Sequence, residues 1–306
     1  TLGIIGGGQL GSMLAIAAKR LEIDTIIFCD DADAPAQNFC TKFIHSNYDD
    51  NKSITDFVNQ VDIVTYEFEN IPFETLNEIN KLRNVLPKPS VNRLIQHRLA
   101  EKDFINKLNI RTTRYVTIKE KSEIEALNDF LPGILKTVTL GYDGKGQHPI
   151  NSINDLSQLD IDFSKGYILE KLVKLKKEIS IIITRFDNLK YEIYEPIENT
   201  HQDQILKYSK IPAEISEKLF EQSKNWAIMI AEELKYVGTM CVEFFIDRND
   251  NLYVNEIAPR VHNSGHLTIN AYNVSQFENH IRAVCKLEQI ELKKLSNAKM
   301  INLIGD

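Results

Sequence analysis

The chain has 306 residues, a formal net charge of -7, and 43% hydrophobic against 26% charged residues, the profile of a globular protein with room for two or three domains. The acidic balance argues against a nucleic-acid partner, because phosphate backbones are bound through an excess of Lys and Arg. No leader pattern and no apolar run of membrane-spanning length is present, and Cys29, Cys40, Cys241 and Cys285 lack C-x-x-C spacing, so a cytoplasmic protein with free thiols and no membrane contact is expected.

Residues 2–6 read as a strand. Gly6, Gly8 and Gly11 then complete G-x-G-x-x-G, and a helical pattern runs over 11–21. A second strand over 25–30 ends on Asp30, near the spacing of a ribose-binding acid, about 20 residues on. The fingerprint raises an NAD(P) oxidoreductase. The glycines equally suit tight strand–helix packing with no ligand, or contact with a substrate. A short strand over 42–46, a helix over 54–61, a strand over 62–68 and a helix from Pro72 to 82 follow. Strands alternating with helices imply a doubly wound parallel sheet. Glu67 and Glu69 end its fourth strand, where ligands of such sheets gather, although one of them could be a solvated loop acid. Two prolines in "LPKPS" mark a boundary, giving a first domain over 1–95.

The pattern then changes. "RLIQHRLAEKDFINKLN" reads as one charged amphipathic helix, followed by strands over 114–118 and 133–138 with a helix near 121–130 between them. The loop Gly141-Tyr142-Asp143-Gly144-Lys145-Gly146-Gln147 has glycines that let backbone N–H groups approach phosphate, without matching G-x-x-x-x-G-K-[ST]. Just before it, Lys136 shares a strand face with Ile134 and reads either as a rim lysine or as a phosphate partner. A smaller lobe is expected over 96–168 and a larger one over 169–306. Residues 178–257 are mostly strand, in hairpins that imply an antiparallel sheet, with one helix over about 215–235. A last helix covers about 275–286.

Two strands flank the polar turn "RNDN". With the turn centred between Asn249 and Asp250, Asp247 faces Leu252, Phe245 faces Val254 and Glu243 faces Glu256. A symmetric two- or four-residue loop gives this pairing; an odd loop does not. Directly opposed carboxylates repel, and Mg²⁺ held by one or two carboxylates plus phosphate oxygens would reconcile them. Asn255 lies beside that position. The alternative is a solvated edge glutamate in another register. The following "APRVHNSGH" gathers Arg260, His262, Asn263 and His266, donors suited to an oxyanion.

Lys136, "GYDGKGQ", "LEKLV", Glu178, and Glu243 with Asn255-Glu256 together resemble the ATP-grasp superfamily. "GGGQLGSML", "TYEFENIP", "RLAEK", "LKTVTLGYDGKGQ", "ENTHQDQIL" and above all "NEIAPRVHNSGH" are similar to its N5-carboxyaminoimidazole ribonucleotide synthase family. The resemblance implies an α/β and α+β chain: an ATP-grasp fold behind a doubly wound pre-ATP-grasp domain. It implies a carbon–nitrogen ligase of purine biosynthesis. ATP and bicarbonate would form carboxyphosphate, which carboxylates 5-aminoimidazole ribonucleotide (AIR). Mg²⁺ or Mn²⁺ would be held by Glu243 and Glu256, and a homodimer is implied. Arg98, Lys136 and the 141–147 loop would contact ATP phosphates. Glu170, Lys171, Leu172 and Val173 would form the hinge against adenine, Glu178 would take the ribose hydroxyls, and His201 and Asn255 would lie beside the nucleotide. Gly8, Gln9, Leu10, Glu67, Tyr142 and Asp143 would be near AIR, and Arg260, His262 and Asn263 would hold bicarbonate or carboxyphosphate. A sister ligase, such as the formate-dependent glycinamide ribonucleotide transformylase, is the alternative. The family continues past residue 306 with a further small lobe, and usually has proline where Val261 stands.

Overall fold

The computed structural model describes residues 1–139, 146–159, 162–202 and 205–303. The first elements are β1 (Leu2–Ile5), α1 (Gln9–Arg20), β2 (Thr25–Cys29), β3 (Lys42–His45), α2 (Asn51–Val58), β4 (Ile63–Tyr66) and α3 (Phe73–Leu82). Their strands form a parallel sheet in the order β3-β2-β1-β4. β1 and β2 are buried along their whole length, as continuous apolar runs covered by helices on both faces should be.

The turn after β1 explains the glycine fingerprint. Glu67, just beyond β4, accepts hydrogen bonds from the Gly8 N–H at 2.9 Å and the Gly11 N–H at 3.1 Å. A Cβ on Gly6 would lie 2.8 Å from Glu67 Oε1, and one on Gly8 would lie 3.0 Å from it. Gly6 also has φ 95, in the left-handed region that favours glycine. The chain's own carboxylate therefore occupies the helix N-terminus that a dinucleotide pyrophosphate would need. Burial raises the Glu67 pKa, and the two amides oppose that rise. Glu67→Gln is expected to lose about 1–2 kcal/mol of stability, since the amide offers one acceptor oxygen to the two N–H groups and leaves the other unpaired. Urea unfolding measures this; an unchanged midpoint would contradict the capping role.

Two helices follow, α4 (Pro89–Ile95) and α5 (Arg98–Lys107), where the sequence predicts one. The break lies at Gln96-His97: His97 Nδ1 accepts the Ala100 N–H at 3.2 Å and starts the second helix at Arg98. Next come β5 (Tyr115–Ile118), β6 (Gly133–Thr137), β7 (Gln147–Ile150), α6 (Ile153–Gln158) and β8 (Tyr167–Lys171), whose strands form an antiparallel sheet in the order β5-β8-β6-β7. Residues 121–130 are a 3₁₀ helix.

The rest is β9 (Leu175–Arg185), β10 (Tyr191–Ile193), β11 (Ile197–Gln202), β12 (Ile205–Ile211), α7 (Glu217–Glu233), β13 (Gly238–Asp247), β14 (Leu252–Ala258), α8 (Thr268–Ala271), α9 (Gln276–Val284) and β15 (Ala298–Ile301). Among the described residues these strands make an antiparallel sheet in the order β14-β13-β9-β11-β12-β15, with β10 also on β9. Ala227, Ile230 and Ala231 of α7 pack on Ile181, Ile183, Met240 and Val242. Phe277 and Ile281 of α9 instead join Leu14 and Ala18 of α1, which ties the large sheet to the parallel one. His280 strengthens that tie: its Nδ1 accepts the Thr239 N–H at 3.0 Å, leaving Nε2–H to donate to Thr65 Oγ1 at 2.8 Å. The fold is thus α/β followed by α+β. No helix among the described residues is long and apolar enough to cross a membrane.

Candidate active site

A cleft of about 790 Å³ runs between the two antiparallel sheets. Its floor includes the β13–β14 hairpin, where Glu243 pairs directly with Glu256. The route to that pairing differs from the expected one. The turn is the three-residue Arg248–Asp250, closed by the Asp247 N–H donating to the Asn251 carbonyl at 3.0 Å, with Asp250 at φ 59. Ile246 faces Leu252, Phe245 faces Tyr253 and Phe244 faces Val254, so Asp247 and Phe245 do not face the expected partners. A bulge then inserts Asn255 as an unpaired residue and restores Glu243 opposite Glu256. Glu243, Asn255 and Glu256 all line the cleft.

Burial, then the neighbouring Glu256 charge, push the Glu243 carboxyl up to about 8. Arg98 Nη1 lies 3.7 Å from Glu256 Oε2 and His262 Nε2 3.2 Å from Glu243 Oε1, and His201 and Arg260 act on Glu243 from farther off. Two hard-oxygen donors facing each other in a concave site, where burial still outweighs these neighbours at Glu243, suit a divalent cation.

On the β6–β8 side, Glu170 lies between two lysines. Lys136 Nζ is 3.2 Å from Glu170 Oε2, and Lys102 Nζ is 3.4 Å from Oε1. Thr113 Oγ1 donates to Oε2 at 3.0 Å. Burial alone would raise the Glu170 pKa; Lys136 and Lys102 overcome it and hold the carboxylate at about 2. Lys136 is therefore an anchored, 7% exposed residue whose chain lines the cleft, and not a rim lysine. Lys171, Leu172, Val173, Glu178 and His201 line the same cleft, with His201 Nδ1 against Glu178 Oε2. Gly141, Tyr142, Asp143, Gly144 and Lys145 lie outside the described residues. Gly146, at φ 72, and Gln147, on the cleft wall, follow them.

Arg260, His262 and Asn263 line the opposite end. Arg260 forks onto Glu69: Nη2 donates to Oε1 at 3.0 Å and Nε to Oε2. Its Nη1 donates to the Val261 carbonyl at 3.0 Å. Three of the five guanidinium N–H groups are engaged this way. His262 Nδ1 contacts Ser264 Oγ at 2.9 Å, and burial, then Arg260, keep the ring neutral by lowering its pKa. Among the described residues, Asn263 Oδ1 on this wall is buried without a hydrogen-bond partner, as a group awaiting a small polar ligand would be, whereas His266 packs on Phe277 and does not line the cleft. Glu69, which could have been a solvated acid, is the Arg260 partner on this wall. Gly8, Gln9, Leu10 and Glu67 sit at the head of the parallel sheet and are not among the lining residues.

Glu101 and Lys102 stand in "RLAEK", where nothing local signals a role for either. Glu101 Oε1 accepts the Ile257 N–H at 2.6 Å, next to Glu256. Burial, then Glu256, push the Glu101 carboxyl up to about 8. This bond fixes β14 just after its bulge. Glu101→Ala is expected to cost about 1–3 kcal/mol through the unpaired Ile257 N–H. It should also weaken cation affinity on the order of 10–100-fold, as loss of a supporting partner does. Calorimetric Mn²⁺ titration beside a thermal melt checks both; unchanged Mn²⁺ affinity would contradict the positioning role.

Family matches agree with this geometry. Residues 1–96 match the ribonucleotide synthetase preATP-grasp domain and residues 103–277 the ATP-grasp domain. The N5-carboxyaminoimidazole ribonucleotide synthase of Brucella melitensis is 39% identical over 311 residues, covering 100% of this chain and 86% of the relative. The solved N5-carboxyaminoimidazole synthetase of Staphylococcus aureus complexed with ADP superposes with TM-score 0.94 at 36% identity, over 99% of this chain and 82% of that one. An Aspergillus clavatus N5-carboxyaminoimidazole synthase in complex with ADP and AIR gives TM-score 0.89 at 26% identity, over 100% and 82%. Opposed carboxylates, a buried lysine–glutamate cluster and a polar loop around one cleft, in a chain so closely matched throughout, lead to one conclusion: this protein belongs to the N5-carboxyaminoimidazole ribonucleotide synthase family of ATP-grasp ligases.

Proposed function

We propose that the cleft couples ATP cleavage to carboxylation of AIR, with bicarbonate as the carbon source. The chain is an ATP-grasp ligase of purine biosynthesis by family membership. The observation that carries the detailed reading is the direct pairing of Glu243 with Glu256 inside a cleft that also holds Lys136 and Arg260.

Bicarbonate oxygen attacks the γ-phosphorus, and the bond from that phosphorus to ADP breaks. The exocyclic amine of AIR then attacks the carboxyl carbon, the carbon–oxygen bond to phosphate breaks, and the amine proton leaves to solvent. The products are the N5-carboxylated nucleotide, ADP and phosphate. Mg²⁺ or Mn²⁺, held by Glu243 and Glu256, would supply charge neutralisation on the triphosphate when bound. Lys136 and Arg98 contact its oxygens, a role the family resemblance extends to the 141–147 sequence. Glu170 to Val173 present backbone groups to adenine, and Glu178 takes the ribose hydroxyls beside His201 and Asn255. Arg260, His262 and Asn263 orient bicarbonate, using the donors and acceptors left over from their own contacts. The family resemblance assigns Gly8, Gln9, Leu10 and Glu67, which lie outside the cleft lining, together with Tyr142 and Asp143, which lie outside the described residues, to AIR. The division into 1–95, 96–168 and 169–306 follows the three sheets, except that β8 (Tyr167–Lys171) of the second sheet crosses the 168/169 boundary. The assembly is a cytoplasmic homodimer.

Bicarbonate labelled with ¹⁸O tests the route. One labelled oxygen should appear in the released phosphate, with ADP formation dependent on AIR. Unlabelled phosphate, or turnover with formate and glycinamide ribonucleotide instead, would contradict it. NADH should leave the protein's fluorescence unchanged, because Glu67 fills the pyrophosphate position.

A further inference from the structure

Cys241 plays no part in the reaction above, yet it stands two residues before Glu243 on the same face of β13. Ligand atoms of Cys241, Glu243 and His262 all lie within 4.8 Å of one another. The three offer a sulfur, a carboxylate oxygen and an imidazole nitrogen. His262 presents Nε2 toward this point, 3.2 Å from Glu243 Oε1. Its other nitrogen, Nδ1, accepts the Ser264 N–H at 3.3 Å and lies 2.9 Å from Ser264 Oγ, which is itself 2.8 Å from Ser180 Oγ. Fixing the far ring nitrogen in this way is how proteins orient a metal-binding histidine.

The donor set selects against Mg²⁺, which takes oxygen ligands in octahedral geometry. One thiolate, one imidazole and one carboxylate suit Zn²⁺ and its thiophilic neighbours, which accept three protein ligands and leave a fourth position open. Tetrahedral bonds of about 2.0–2.3 Å put ligand atoms roughly 3.3–3.8 Å apart, so small side-chain rotations close the site. Glu243 and His262 line the cleft while Cys241 is fully buried behind them, so the open position faces the cleft.

We propose that Cys241, Glu243 and His262 form a site for Zn²⁺ or another thiophilic divalent ion. The ion displaces the Cys241 thiol proton and the Glu243 carboxyl proton to solvent and binds sulfur, oxygen and Nε2, while the imidazole proton moves to Nδ1, which gives up the Ser264 N–H and donates to Ser264 Oγ. Because Glu243 is shared, occupancy withdraws it from the Mg²⁺–ATP site, a consequence that rests on the reading above.

Co²⁺ titration of the metal-stripped protein tests the site without substrate. A near-ultraviolet sulfur-to-cobalt absorption should appear, saturate at one equivalent and be displaced by Zn²⁺. Cys241→Ala and Cys241→Ser should both abolish it, with circular dichroism verifying that each is folded. His262→Gln should weaken Co²⁺ binding by at least about 10–100-fold. Absence of the band, or a band that survives both Cys241 variants, overturns the proposal. Retreat of the band on adding Mg²⁺ and ATP supports the shared carboxylate; a band untouched by saturating Mg²⁺ and ATP overturns the sharing. A protein that carboxylates AIR normally but gives no cobalt band sinks this inference alone.

Discussion

Glu243→Gln is expected to lower AIR-dependent ADP release by about 10²–10³-fold, the range seen when one preorganised electrostatic contact is removed. The same protein should melt at an equal or higher temperature. Glu243 has a folded pKa of about 8 against an ordinary 4.5, so the folded state binds the extra proton. Stability from this group is therefore greatest below pH 4.5 and is lost as pH rises toward 8. Glutamine keeps the shape, cannot ionise and removes the repulsion from Glu256. Falling activity with rising stability marks a pair retained for its ligand and not for the fold. Turnover within tenfold of the parent, or a clear drop in melting temperature, would contradict this.

Glu170→Gln should have the largest structural effect, a loss of about 3–5 kcal/mol, because it leaves two buried ammonium groups without their anion. Lys102 and Lys136 have side chains only 2% and 8% exposed, so solvent offers little relief. The pH dependence has the opposite sign to that of Glu243. Glu170 has a folded pKa of about 2 against 4.5. Its contribution is complete above pH 4.5 and is lost as pH falls toward 2. Urea midpoints measured down that range should fall steeply in the parent and more gently in Glu170→Gln. Equal midpoints at pH 7 would contradict the cluster's role. Replacing Lys102, Lys136 and Glu170 together by apolar residues should restore much of the stability, since exchanging a whole buried ion cluster is often neutral. It should not restore ATP binding.

The parts of the fold that read directly from the sequence are those with strong local periodicity. The apolar runs of β1 and β2 define their elements without help. Features set by a distant partner do not read this way. Nothing near Gly6 announces that Glu67 fills its turn, so a ligand motif and a self-capped helix look alike. The helix break at His97 involves neither proline nor glycine, because a side-chain nitrogen performs the capping. Glu101 and Lys102 look like a solvated charged face; only the fold reveals Ile257 and Glu170 as their partners. The hairpin is the sharpest case. The three-residue turn alone would place Glu243 opposite Asn255, and the bulge at Asn255 corrects the offset. The expected pairing of the two acids is right, but through two irregularities that a regular ladder does not contain.

A divalent ion gripped between Glu243 and Glu256 is central to the proposed reaction. Anomalous diffraction from crystals grown with Mn²⁺ and a non-hydrolysable ATP analogue tests this most directly. The predicted result is a manganese peak ligated by both carboxylates and by β- and γ-phosphate oxygens, with Lys136 on the triphosphate. A peak elsewhere, or a triphosphate seated away from both acids, would contradict it.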